Sequence, residues 1–330
     1  MAEKIIVNEL AEKINPDMRF ISSHKCKGSS PSKPAFFYHI PRCAGTTFEI
    51  SVSSAVLGME IVLEKEQEKK VTLPKVMRVA GMAQLESLAL HNQPFIMYSG
   101  VLPYGSHKLM DRIPCELYTI IREPFELLVS RYISECKKSS QEVSEVGFVE
   151  YFSRSENTNT MCKQLHPKAY LYESQDHEYH DAQVVIDNLK QNFTVYSTVD
   201  DVIPMMESFL SRYSLPNVVV NTLKKSDMTE FNTAVTELDT LKGKVKALNA
   251  DDYLLYEHVA AAPKIPELDK VGEGVVSDVS CLIWDNSTDG MPDMRAHPMQ
   301  TQKVLAHLYD VATHGFNPKH LYQLSIDGKF

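Results

Sequence analysis

Two short groups of residues carry the chemistry for which this sequence can be read. The first is Arg42-Cys43-Ala44-Gly45-Thr46-Thr47. Arg42 brings a permanent cation with a planar fork of donors. Gly45 lets a ligand approach the backbone closely, and the hydroxyls of Thr46 and Thr47 can cap a helix or bond a ligand oxygen. The second group is Arg122 with Ser130, eight residues further on. An arginine at a strand end can fork onto a phosphate. Eight residues make about two helical turns, so Ser130 falls on the same face as the start of that helix. Both groups point to the holding of an oxyanion such as phosphate. The same residues also suit an ordinary strand-to-helix turn and a surface arginine, so the surrounding elements decide their weight.

Ala35 to Ile40 is an apolar run of buried-strand length, and Phe48, Val52, Ala55 and Met59 then recur at helical spacing. Strand, small-residue loop and helix start together aim unpaired backbone N–H groups at an anion. Pro94 to Tyr98 predicts a second strand, and Leu117 to Ile121 a third, rich in β-formers. The third runs straight into Arg122. Pro124 then suits the first turn of a helix striped by Phe125, Leu128, Val129 and Tyr132. Phe193 to Thr198 predicts a fourth strand and Asp200 to Tyr213 a helix. Asn249 to Ala262 predicts another helix, with Asn249 and Asp252 as a capping pair.

The loop is not a Walker A motif, because Gly45 is followed by Thr46 and the cation precedes the glycine. It resembles the 5′-phosphosulfate loop of sulfotransferases that use 3′-phosphoadenosine 5′-phosphosulfate (PAPS). The closest similarity is to the carbohydrate sulfotransferase branch, whose loop reads roughly His-Ile-Pro-Lys-Thr-Gly/Ala-Gly-Thr. Here His39-Ile40-Pro41 leads into Arg42 in place of Lys and Cys43 in place of Thr. Thr119 to Tyr132 resembles the same family's 3′-phosphate motif, an apolar strand and Arg-Asp-Pro followed by Ser and an aromatic, with Glu123 standing for Asp. Looser similarity at Glu156 to Met161, where Met161 replaces the usual Arg, and at Tyr253 to Tyr256 extends the resemblance over about residues 35–262.

The resemblance implies a three-layer, P-loop-like α/β fold with a mainly parallel central sheet. It implies transfer of a sulfuryl group from PAPS to a hydroxyl or amine of a small molecule or short glycan. Adenosine 3′,5′-bisphosphate (PAP) is released and no metal is required. Arg42 and the amides of Cys43, Ala44, Gly45, Thr46 and Thr47 then hold the 5′-phosphate and sulfonate, and Arg122 and Ser130 grip the 3′-phosphate. A His often follows the family's glycine at the position of Gly100; Val101 stands there instead. The base for a hydroxyl acceptor is then sought among His107, His91, Glu60 and Glu64, with His39 read as structural. Two alternatives stay open: a PAP-binding scaffold without turnover, and a nucleotide-dependent kinase, weakened by the missing Walker lysine.

Composition limits the rest. A chain of 330 residues with 43% hydrophobic content can bury a sizeable core. A formal net charge of −9 argues against a dedicated nucleic-acid binder. The six cysteines, at 26, 43, 115, 136, 162 and 281, form no CxxC pair, which favours reduced thiols. Met1 to Phe20 lacks a signal-like apolar core and no run of 18 apolar residues occurs, so a cytoplasmic protein without a membrane span is expected. His177, Glu178, His180 and Asp181 form the one dense His/acid cluster. Such spacing can bind metal, but without a third distant ligand it reads as a surface loop. Glu60 to Lys75 is charge-rich and reads as a solvated face. The chain divides into an extension and linker (1–34), a main domain (35–262), and a C-terminal extension (263–330) packed on the core. A helix is predicted in the last of these over Pro298 to Thr313.

Overall fold

The structure is a computed structural model that describes residues 18–21, 33–53, 55–56, 75–91, 95–110, 113–171, 178–215, 217–221, 228–267, 279–283 and 295–299. Five strands form its main sheet: β2 (Ala35–Tyr38), β3 (Lys75–Arg78), β4 (Phe95–Gly100), β5 (Glu116–Ile121) and β6 (Phe193–Thr198). Their order is β3-β4-β2-β5-β6 and every neighbouring pair is parallel. A parallel sheet is covered on both faces, which is why β2 is buried along its whole length and reads as an unbroken apolar run.

Alternation along β2 sorts the two faces. Phe37 meets Phe48 of helix α1 (residues 45–53 and 55–56), with ring centroids 4.9 Å apart. Phe48 and Tyr118 of β5 both meet Phe209 of a later helix, Val202–Arg212. On the opposite face Tyr38 packs on Tyr104 and Phe193. That side is covered by the helices Ala182–Asn192 and Ala250–Ala261, which pack on each other and on β6. The chain is therefore α/β, with helices on both sides of a parallel sheet. A second apolar cluster lies beside the sheet. It is built by helix α3 (Pro124–Ser139) with the helices Glu145–Phe152, Met228–Ala234 and Leu238–Leu248.

Strands β4, β5 and β6 lie within two residues of their predicted bounds. Strand β3 was not predicted: it has four residues and starts where the charged run ends. A separate sheet joins β1 (Met18–Ile21), β7 (Asn217–Asn221), β8 (Val279–Ile283) and β9 (Arg295–Met299). The chain's two extensions thus share a sheet with a segment from its middle. In the C-terminal extension the described residues include the strands β8 and β9. Pro298 and Met299 end β9, and the rest of Pro298 to Thr313 lies outside the described residues. So does the short helix expected over Glu3 to Ile14.

The topology fixes where a ligand would sit. From β2 the chain steps two places outward to β3, then returns through β4 and crosses to β5 on the other side of β2. Tyr38 is in register with both Gly100 and Thr119, so β2, β4 and β5 present their carboxyl ends on one edge. The direction of travel reverses at β2. In open α/β sheets a crevice forms outside the carboxyl ends of the strands at such a reversal.

Candidate functional site

The loop leaving β2 lies at that carboxyl edge. Cys43 N–H donates to the Ile40 carbonyl at 3.2 Å, and Phe48 N–H to the Ala44 carbonyl at 3.1 Å as α1 begins. Arg42 (φ 72°) and Ala44 (φ 56°) are left-handed, while Cys43 between them is not. A left-handed residue with a side chain costs about 1–2 kcal/mol. Backbone of alternating hand lines up successive N–H groups into an anion-accepting hollow, and strain of this kind clusters at functional sites.

Gly45 follows, and a Cβ there would lie 2.6 Å from His39 Cδ2 and 2.7 Å from His39 Nε2. Glycine is needed because the imidazole lies flat beneath the loop. The ring is fixed by Nδ1, which donates to Glu49 Oε1 at 2.7 Å. The same oxygen accepts from the Ser99 hydroxyl, and Arg78 Nε is 3.7 Å from Glu49 Oε2. Burial pushes the Glu49 carboxyl up. The bonds and charges of His39, Ser99 and Arg78 outweigh that and hold it below the ordinary carboxylate value. His39 is thus buried and pinned beneath the loop by Glu49. Gln164 Nε2 ties the strand ends together, reaching the carbonyls of His39 and Leu102, each at 3.1 Å.

The two groups predicted from sequence meet here. Arg42 Nε donates to Ser130 Oγ at 2.8 Å, across 88 positions of sequence. Arg122 Nη1 donates to the Arg42 carbonyl at 3.2 Å, while its Nε and Nη2 reach Glu126 Oε2. Glu123 caps α3 by accepting from Glu126 N–H at 2.7 Å, so glutamate performs the capping task of an aspartate at this position. Burial and the charge of Arg122 both lower the Arg42 pKa. Burial pushes the Cys43 thiol up to about 12, against the pull of Arg131 and Arg122, so Cys43 offers its backbone and not a thiolate. Ala44 is half-buried, Thr46 exposed and Thr47 buried.

Sequence reasoning missed Arg131. Its Nε is 3.5 Å from the Pro41 carbonyl and its Nη1 donates to Thr160 Oγ1 at 2.9 Å. Adjacent helix residues diverge by about 100°, so a motif drawn along the face of Ser130 passes it over. It also missed a second role for Asp252. No side-chain bond caps the helix Ala250–Ala261. Instead Asn249 Oδ1 accepts from Asn159 N–H at 2.8 Å. Asp252 accepts from Met161 N–H at 3.1 Å and Cys162 N–H at 2.8 Å. The expected capping pair is spent on docking the neighbouring helix Thr160–Leu165. Met161, where the family has Arg, is fully buried.

His107 is not brought to the loop by any hydrogen bond or ion pair among the described residues. Its Nδ1 lies 2.5 Å from Tyr38 Oη, and its ring sits among Phe36, Tyr38 and Tyr104. Tyr38 Oη already accepts from the N–H groups of Gly105 and His107. Burial raises the phenol's pKa, so it stays protonated and donates to Nδ1. In the tautomer that accepts this bond, His107 carries its proton on Nε2. Burial and the charge of Lys108 lower its pKa to about 4. Glu60, Glu64 and His177 lie outside the described residues, and His91 closes the helix Met82–His91. His180 pairs with Asp251 at 2.6 Å and Asp181 caps the next helix. Among the described residues no group of three or more His, Cys, Asp or Glu side chains is placed to hold a metal ion.

Fold and site together define an α/β protein with three arginines gathered around the loop at the carboxyl edge of a parallel sheet. The chain matches no protein-family model and no curated protein sequence. Among the described residues no helix is long and apolar enough to cross a membrane.

Proposed function

We propose that this chain is a PAPS-dependent sulfotransferase of P-loop-like fold, acting in the cytoplasm on a small-molecule or short glycan acceptor. The observation that carries the reading is the bond from Arg42 to Ser130, with Arg122 on the Arg42 carbonyl. Two motifs read separately as holding the 5′- and 3′-phosphates lie side by side, as a single 3′,5′-bisphosphate requires. A sheet order in which the loop-bearing strand is central, and the reversal at that strand, support the same reading.

In this scheme Arg42 and the amides of residues 43–47 hold the 5′-phosphate and sulfonate, and Arg122 and Ser130 hold the 3′-phosphate. The acceptor oxygen or nitrogen attacks sulfur, the bond from sulfur to the 5′-phosphate oxygen breaks, and PAP leaves with that electron pair. The acceptor's proton passes to a base or to water. Positioning and charge stabilisation do most of the work. The bond to Tyr38 engages His107 Nδ1, which supports an acceptor amine that is neutral at working pH and needs less help from a base. For a hydroxyl acceptor the base falls to Glu60, on sequence grounds alone. The same bond supports, as a second reading, a PAP-binding protein without turnover.

Calorimetric titration with PAP, ATP and 5′-AMP tests the site. Micromolar PAP binding with much weaker binding of the other two is expected; no PAP binding by folded protein sinks the proposal. Sulfate transfer from PAPS to a panel of amines and hydroxyls then separates enzyme from binding protein.

A further inference from the structure

Three guanidinium groups converge on the loop after β2, and their charges are not balanced locally. Among the described residues Arg122 has a carboxylate partner, Glu126, whereas Arg42 and Arg131 have none. Arg122 and Arg131 both act on the Cys43 thiol through space, which places both charges close to the loop. Asp252, an acid that feels the charge of Arg131, is buried and already committed to two backbone N–H groups. Like charges held together in a partly buried crevice repel, and an anion placed among them relieves the repulsion.

Arg131 is also held ready. Pro41 and Thr160 fix its Nε and Nη1 edges, which sets the plane of the guanidinium. Its Nη2 has no hydrogen-bond partner among the described residues. A guanidinium fixed on two edges with a third left over is preorganised to donate to an oxyanion.

We propose that Arg131 is a third anion-binding arginine of this site, donating through Nη2 to an oxygen of the phosphate or sulfonate seated in the 41–47 loop. This rests on the reading of that loop as a phosphate holder. The test is calorimetric titration of the full chain with PAP and, separately, with inorganic pyrophosphate. Parent, Arg131→Gln, Arg131→Lys and Thr160→Val proteins are compared, with folding checked by urea unfolding.

Arg131→Gln is expected to weaken both ligands by about ten- to hundred-fold. Thr160→Val, which removes the Nη1 contact but keeps the charge, should leave affinity nearly unchanged. Unchanged affinity in Arg131→Gln overturns the proposal. So does an equal loss in Thr160→Val, since Arg131 would then act only as a pin between loop and helix. If the Gln variant does not fold, Arg131→Lys decides: it keeps the charge but loses the fork, so several-fold weaker binding is expected and parental affinity overturns the proposal. A parent that binds pyrophosphate but not PAP removes the bisphosphate reading and leaves Arg131 to be judged on pyrophosphate. A parent that binds neither removes both.

Discussion

Arg42 sits where the loop and helix α3 meet, and its neighbours define what single substitutions should do. Arg122→Ala removes a charge-assisted donor and the bond to the Arg42 carbonyl. PAP affinity should fall by about 1.5–3 kcal/mol; equal affinity in calorimetry would remove Arg122 from the site. His107 makes a different prediction. Its folded pKa of about 4 lies below the ordinary 6.5, so between those values the unfolded chain binds more protons. Stability is then fully present above the unfolded value and is lost as pH falls through that window. Urea midpoints measured against pH should show the slope, and His107→Gln should flatten it. A slope that survives the substitution would mean that the acid sensitivity arises elsewhere. Glu49 acts in a lower window. Its folded pKa is depressed, so its contribution persists above the ordinary carboxylate value and is lost as pH falls through the folded one.

At the scale of elements, helix Thr160–Leu165 depends on an acid from another helix. Asp252→Ala would leave the N–H groups of Met161 and Cys162 unpaired in a buried place. A loss of about 1–3 kcal/mol per unsatisfied group in urea unfolding is expected; a loss near zero would mean that water replaces the carboxylate. This contact shows what the sequence could and could not disclose. Strand β2 was legible because a strand covered on both faces reads as an unbroken apolar run, and β4, β5 and β6 because aromatic and β-branched residues dominate them. The strand-to-helix junction at 41–47 and the helix placing Ser130 two turns after Arg122 were legible because local spacing generates them. Asn249 and Asp252 misled because a capping pair is recognised by spacing, whereas their real partners at Asn159, Met161 and Cys162 are remote in sequence. Arg131 was hidden for the same reason, since its significance lies in Pro41 and Thr160. The four-residue β3 offers too little alternation to be told from the end of a charged run.

For the molecule as a whole, the parallel sheet is the part with least reason to open. Strands β2 and β5 are flanked on both edges and buried on both faces, whereas β3 has one paired edge among the described residues. Native-state hydrogen exchange should therefore find the slowest amides within residues 36–38 and 118–121, with β3 opening at lower free energy. Faster exchange in the centre than at the edge would contradict this order. The chain carries a net charge of −9, yet gathers arginines at one crevice. Affinity for PAP should accordingly fall as salt is added, because the attraction is local and screened over about 8–10 Å. Affinity indifferent to salt would argue that the arginines do not face the ligand.

The imidazole lying where a side chain of residue 45 would go binds two positions into one unit of descent. A lineage that gains a methyl at 45 while His39 is in place forces ring and backbone apart. One that first exchanges His39 for a smaller residue can accept the methyl afterwards, but histidine cannot then return without reversing it. Among descendants of this sequence, glycine at 45 should therefore accompany histidine at 39, and the route between the two pairings should run in a single order.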